Sequence, residues 1–277
     1  MASNIHKSAV VEDGATIGDD VTIGPFCHVG PDVVLGDGVE LVSHVSVTGK
    51  TLLGEGCAVH PFAVLGGQPQ NFRHDPSEPT ILQIGRNTVV REGATVHLGS
   101  SNALGKTVIG ENCHLFSQCH VAHDCQIGDH VIVGGATAMA GHVEVGDHAS
   151  VGGHTAVLQF VRIGHHAFVG GASAVGHDVI PFGLAARDPA VLHGFNIVGM
   201  RRSGMKRSDI DTMRAAFDVI YDERDTIAST LRRAREQYGE HPIVSEIIDF
   251  LELRGKRPVM RPRRGSGADG GDDAPLM

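Results

Sequence analysis

The chain has 277 residues, 37 of them glycine, with 4% aromatic residues and no tryptophan. That composition excludes an ordinary core packed around large rings and favours a narrow, repetitive interior. The formal net charge of -9 argues against nucleic acid as the main partner. No apolar stretch reaches the roughly 18 residues that span a bilayer, and the first residues lack a basic start and an apolar run, so the expectation is a cytoplasmic protein without a membrane span.

From Ile5 an aliphatic residue recurs every six positions, through Val11, Ile17, Ile23, Val29, Leu35, Leu41, Val47, Leu53 and Val59 to Leu65. The register returns at Ile84, Val90 and Val96 and then runs unbroken from Ile109 through Val121, Met139 and Val157 to Val175. A period this strict is the signature of a solenoid. The fifth position of each unit holds small or branched residues, and all five cysteines, Cys27, Cys57, Cys113, Cys119 and Cys125, fall there. With no CxxC or Cys-His zinc spacing, they read as inward-packing residues rather than disulfide partners or metal ligands. Glycine often follows the opening residue, as in Ile17-Gly18 and Ile127-Gly128, where a tight corner suits a residue without a β-carbon.

Two segments leave the register, 66–83 and 99–107, and both read as loops projecting from residues 1–182, the repetitive part. After Pro181 the periodicity turns helical: 183–254 reads as a C-terminal helical domain, with helices starting near Ser208, spanning Thr226 to Tyr238 and running from Pro242 to Arg254. The remainder, 255–277, is rich in Gly, Pro, Arg and Asp and reads as a disordered tail.

Three units to a coil put residues eighteen apart above one another, at about one strand spacing of 4.8 Å. Asp124 then lies in a column with His142 and Phe160, His123 with Gly141 and Gln159, and Gly135 with Gly153 and Gly171. A bare glycine column beside a histidine is what a groove for an extended chain needs, although glycines also make corners. Among the eighteen histidines, His123 stands out for its neighbours Asp124, His120 and His142. His28, His44, His60, His130, His148, His165 and His166 read as solvated surface, with His97 and His120 between the two classes.

The hexad pattern resembles the hexapeptide-repeat acyltransferases, which implies an all-β left-handed parallel β-helix with a C-terminal α-helical domain. The handedness comes from the resemblance alone, since parallel crossovers are normally right-handed. More narrowly, Gln70-Asn71-Phe72-Arg73, Val96-His97, His120-Val121-Ala122-His123-Asp124-Cys125, Ala140-Gly141-His142-Val143, Gln159-Phe160 and Phe195 to Arg202 are similar to the acyl-carrier-protein-dependent UDP-N-acetylglucosamine O-acyltransferases that start lipid A synthesis. The resemblance covers residues 5 to about 254. It implies a homotrimer with active sites between subunits, and transfer of a 3-hydroxyacyl group from the carrier thioester, a co-substrate, to the sugar 3-hydroxyl. It implies no metal and no cofactor.

By the same resemblance His123 is the general base, Asp124 its orienting partner and the Gly141 N–H an oxyanion donor. His142 and Gln159 match contacts to the bound acyl donor or product, Gly171 the residue that limits acyl length, and Asn196 with Arg202 the nucleotide contacts. His97, His120, Asn71 and Arg73 complete the expected substrate-binding set. The family commonly has an aspartate and a lysine where this chain has Asn71 and Arg73, which opens the alternatives of N-acyl transfer to a UDP-3-amino sugar or of O- or N-acyl transfer to another nucleotide sugar. Val198 and Ser203 depart from its usual Glu and Arg. A γ-class carbonic anhydrase would need histidines five apart, a spacing absent here, and a purely structural solenoid would be expected to lack the loops and the helical cap.

Overall fold

In the computed structural model, which describes residues 3–253 and 255–262, the repeat folds as a left-handed parallel β-helix followed by four helices. Each six-residue unit contributes a strand, mostly of two residues, and successive strands go in turn to three sheets of eleven, nine and eight strands. The parallel register is the eighteen-residue spacing made physical: Asn4 pairs with Thr22, His120 with Ala138 and Val145 with Ile163. Backbone bonds climb from coil to coil, such as His120 N–H to Thr137 O at 2.8 Å.

The core is a narrow stack of the two inward positions. Ile23, Leu41, Leu65, Leu115, Val121 and Met139 are buried, and so are all five free cysteines. Burial pushes the Cys125 thiol up to about 12, so it stays protonated and packs as an apolar group. Corners repeatedly place one residue in the left-handed region. Asp124 (φ 61°), His142 (φ 63°) and Phe160 (φ 65°) occupy it at the corner joining the second sheet to the third.

Both loops leave the coil at that corner. The first lies between the strands Val64–Gly67 and Ile81–Ile84, the second between Thr95–His97 and Lys106–Ile109. The ladder pairs Leu65 with Val96 and Val96 with Val121, and its register shifts between Leu65 and Gly67, where the first loop leaves.

Two differences from the sequence reading concern residues after Pro181. The coil does not give way to helix at residue 183: Gly183–Ala186 continues the first sheet and turns back antiparallel to Val191–Phe195. These residues carry no hexad, so periodicity missed them. Helix α1 (Ile197–Arg202) was also missed, with Asn196 as its N-cap accepting from Gly199 N–H at 2.9 Å. Then come α2 (Arg207–Ile220), α3 (Ile227–Tyr238, capped by Thr226) and α4 (Pro242–Glu252), burying Ile210, Met213, Ala216, Leu231, Val244 and Ile248.

The expected disordered tail is corrected over 255–262. Val259 bridges to Asp178 and Pro262 to Leu192, and Met260 is only 3% exposed. The anchor is a buried ion pair, Arg162 Nε to Asp178 Oδ2 at 2.7 Å, over which Gly255 packs so closely that a β-carbon would meet the guanidinium at 2.7 Å. Residues 263–277 lie outside the described set. Among the described residues no helix is long and apolar enough to cross a membrane.

Candidate active site

The left-handed backbone at Asp124 turns its carboxylate back into the corner, where it is fully buried beside a His123 that is 5% exposed. Asp124 Oδ2 accepts from His123 Nδ1 at 2.7 Å, which fixes the tautomer and leaves Nε2 as the acceptor. The second loop supplies the rest of the cradle. Ser100 N–H donates to both carboxylate oxygens at 3.1 and 3.2 Å, and Thr107 Oγ1 accepts the Asp124 N–H at 2.8 Å. Burial raises the Asp124 carboxyl, but the bonds from His123 and Ser100 and the nearby His142 outweigh it and hold it below the usual carboxylate value.

One coil higher, Gly141 faces the imidazole. A β-carbon there would lie 2.6 Å from His123 Cε1 and 2.8 Å from Nε2, so only glycine leaves room for the ring. Among the hydrogen bonds of the described residues none uses the Gly141 N–H, which remains a donor beside His123. His142 stacks on Phe160 with ring centroids 4.5 Å apart and meets His123 edge-on at 5.2 Å. Burial is the main cause that lowers the His142 pKa, opposed by Asp124 and reinforced by His123 and Lys256.

Below His123, the second sheet holds His120 and His97 edge to face at 4.7 Å, with His120 Nδ1 bonded to Thr95 Oγ1 at 2.7 Å. Burial, followed by the neighbouring His120 and His123, drives His97 down to about 4. Its Nδ1 is buried without a hydrogen-bond partner among the described residues.

Asn71 reaches the site only indirectly. Its amide donates to Ser100 Oγ at 2.8 Å and Asn102 Oδ1 at 3.1 Å and accepts from Arg73 N–H at 3.0 Å. It ties the first loop to the second, and through Ser100 to Asp124. Arg73, Gln159 and Gly171 are exposed. The column Gly135, Gly153, Gly171 stacks as expected, a β-carbon on Gly171 approaching Gly153 O at 3.1 Å. That column, however, lies at the corner between the first and second sheets, across the second sheet from His123.

Asn196 and Arg202 are not brought to His123. Asn196 Nδ2 donates to His166 O at 3.1 Å, at the corner between the third and first sheets, and Arg202 is exposed in the last turn of α1. His166 and His165 are half-buried there rather than solvated, stacked on or against Phe182, with His165 paired to Glu246 of α4. A cleft of about 1360 Å³ opens between the third sheet and α4, but His123, Asp124 and Gly141 do not line it.

Sequence reasoning missed Ser100, Thr107 and the two cations of the docked tail. Lys256 Nζ lies 3.9 Å from the Phe160 ring centre and Arg257 Nε donates to Gln159 O at 2.7 Å. The polar run Ser100-Ser101-Asn102 was the one available signal. Donor atoms of His123, Asp124 and His142 all lie within 4.8 Å, close enough to take a small cation. A buried His–Asp pair beside a bare N–H, with no nucleophilic side chain between them, suits proton abstraction in a group transfer.

Comparisons with known proteins agree on the class. The family model for "Bacterial transferase hexapeptide (six repeats)" matches residues 14–49 and 106–141, which makes the coil that of a hexapeptide transferase. The model for "Udp N-acetylglucosamine O-acyltransferase; Domain 2" matches residues 178–260, a span that includes much of the docked tail. The acyl-[acyl-carrier-protein]–UDP-N-acetylglucosamine O-acyltransferase of Agrobacterium fabrum is 46% identical over 95% of this chain and 97% of its own length. That of Rhizobium rhizogenes is 48% identical over 96% and 98%. The structure of the Campylobacter jejuni UDP-N-acetylglucosamine acyltransferase superposes with a TM-score of 0.87 at 34% identity, covering 94% of this chain and all of that one. This chain belongs to the acyl-[acyl-carrier-protein]–UDP-N-acetylglucosamine O-acyltransferase family.

Proposed function

We propose that the protein transfers a 3-hydroxyacyl group from an acyl carrier protein thioester to the 3-hydroxyl of UDP-N-acetylglucosamine, the first step of lipid A biosynthesis. The observation that carries this reading is the buried His123–Asp124 pair set against Gly141, whose N–H has no acceptor among the described residues. His123 Nε2 takes the hydroxyl proton as the sugar oxygen attacks the thioester carbonyl. The Gly141 N–H receives the oxyanion of the tetrahedral intermediate. Asp124 stabilises the imidazolium, which then gives its proton to the departing thiolate of the carrier arm. Atoms and charge balance without a metal, a cofactor or a covalent enzyme intermediate.

In this reading His142 and Gln159 contact the acyl donor and Gly171 limits its chain, while Asn196 and Arg202 hold the UDP group. His97 and His120 line the acceptor side, with Arg73 on the first loop below them. Asn196 and Arg202 sit at a different corner from His123, so a complete site needs them from a second copy, which favours a homotrimer with sites at its boundaries. Both substrates belong to the cytoplasm, where we place the enzyme.

Mass-spectrometric assay of the purified protein with a panel of acyl carrier protein thioesters and UDP-N-acetylglucosamine tests the proposal, run in parallel with the 3-amino sugar. Acylated UDP-N-acetylglucosamine is the expected product. Preference for the amine would overturn the acceptor assignment, and no transfer from any carrier thioester would overturn the activity.

A further inference from the structure

We infer that Lys256, on the docked tail, is a binding residue for the acyl donor and pairs with the phosphodiester of the carrier's pantetheine arm. The inference rests on the acyltransferase reading above and adds a part of the chain to its site.

Three observations place Lys256 there. The corner that carries His123 is closed below by the two loops, since Ser100 lies on Asp124 and Asn71 lies on Ser100. Above His123 the same corner is bare at Gly141 and rises through Gln159 and Phe160, so an arm whose thioester meets Gly141 has a course open in that direction. The tail crosses the corner at this level: Lys256 Nζ sits 3.9 Å from the Phe160 ring centre, and Arg257 is fastened to Gln159 O at 2.7 Å.

The position is built rather than incidental. Asp178 receives Arg162 at 2.7 Å, gives its N–H to Pro258 O at 2.9 Å and accepts Met260 N–H at 2.8 Å. That clamp fixes the tail on both sides of Val259 and leaves Lys256 exposed at the rim. No carboxylate among the described residues pairs with Lys256 or Arg257, in a chain of net charge -9 where Arg207, Arg224, Arg233 and Arg235 of the helical region each have an acidic partner. A cation held over a ring without a counter-ion, beside the open path from the thioester, suits a phosphate oxygen.

The experiment compares wild type with Lys256→Ala and Lys256→Arg on three donors: acyl carrier protein thioester, the acyl thioester of phosphopantetheine, and that of pantetheine without its phosphate. Lys256→Ala is expected to raise KM about three- to tenfold for both phosphorylated donors, as for a partly exposed charge-assisted pair. It should leave kcat within about twofold, leave the pantetheine donor unaffected and be largely rescued in Lys256→Arg. Equal losses on the donor without phosphate would overturn the inference in favour of a packing role. A loss confined to the intact carrier protein would overturn it in favour of carboxylates on the carrier surface, and unchanged KM throughout would remove Lys256 from the site. Wild-type inactivity with every donor would instead refute the acyltransferase reading.

Discussion

The imidazole of His123 lies against the bare α-carbon of Gly141, with 2.6 Å between its Cε1 and the place a β-carbon would take. The proposed base and the proposed oxyanion donor are therefore set by one contact. Gly141→Ala must tilt the ring away from Asp124 or shift the corner. Such a displacement is expected to lower kcat on the order of a hundredfold. Wild-type kcat in a folded Gly141→Ala protein would mean that the ring does not work from this position.

Replacing the proposed base itself should cost more without loosening the fold, because the coil rests on the hexad aliphatics. His123→Ala is expected to lower the rate about 10²- to 10⁴-fold, with an unchanged thermal midpoint and assembly mass. More than half the wild-type rate in a chemistry-limited assay would point to another base.

Asn71 joins two loops through bonds only an amide can make. Asn71→Asp removes both donors and sets a carboxylate near Asn102 Oδ1, now 3.1 Å from the amide nitrogen. A loss of about 1–3 kcal/mol in stability is expected, with a fall in kcat because Ser100 also holds Asp124. Higher activity on UDP-N-acetylglucosamine at unchanged stability would show instead that the residue serves the sugar directly.

Gly171→Met probes the glycine column. Its side chain would project over Gly153 into the path assigned to the acyl chain, and each methylene displaced from apolar contact loses about 0.8 kcal/mol. The preferred donor should become shorter. An unaltered chain-length profile would take this column out of the acyl site.

His97 and His166 are both held down to about 4, mainly by burial. Their folded values lie below the unfolded value of about 6.5, so between these limits the unfolded chain binds more protons. Stability is full above about pH 6.5 and is lost as pH falls towards 4. Thermal midpoints measured across that window should fall with acidity, and His97→Gln should flatten the slope. An identical slope in the variant would mean that His97 takes no part in it.

Much of the fold was legible because a solenoid repeats one local instruction. The eighteen-residue arithmetic stacked His142 on Phe160 and set Gly141 beside His123, and both contacts are present. The inward cysteines were legible for the same reason: each position's surroundings are fixed by neighbours one coil away. Outside the repeat no such rule operates. The hairpin after Pro181, the landing of both loops on one corner, the bond from Ser100 to Asp124 and the clamp that docks 255–262 all depend on contacts between segments distant in sequence. Sequence by itself determined the coil, its register and the pairing of His123 with bare backbone, since these follow from a period. Only the tertiary structure decided that Asn71 serves the loops, that Asn196 stands at another corner and that Lys256 reaches Phe160, because non-repeating segments settle where packing and hydrogen bonds let them.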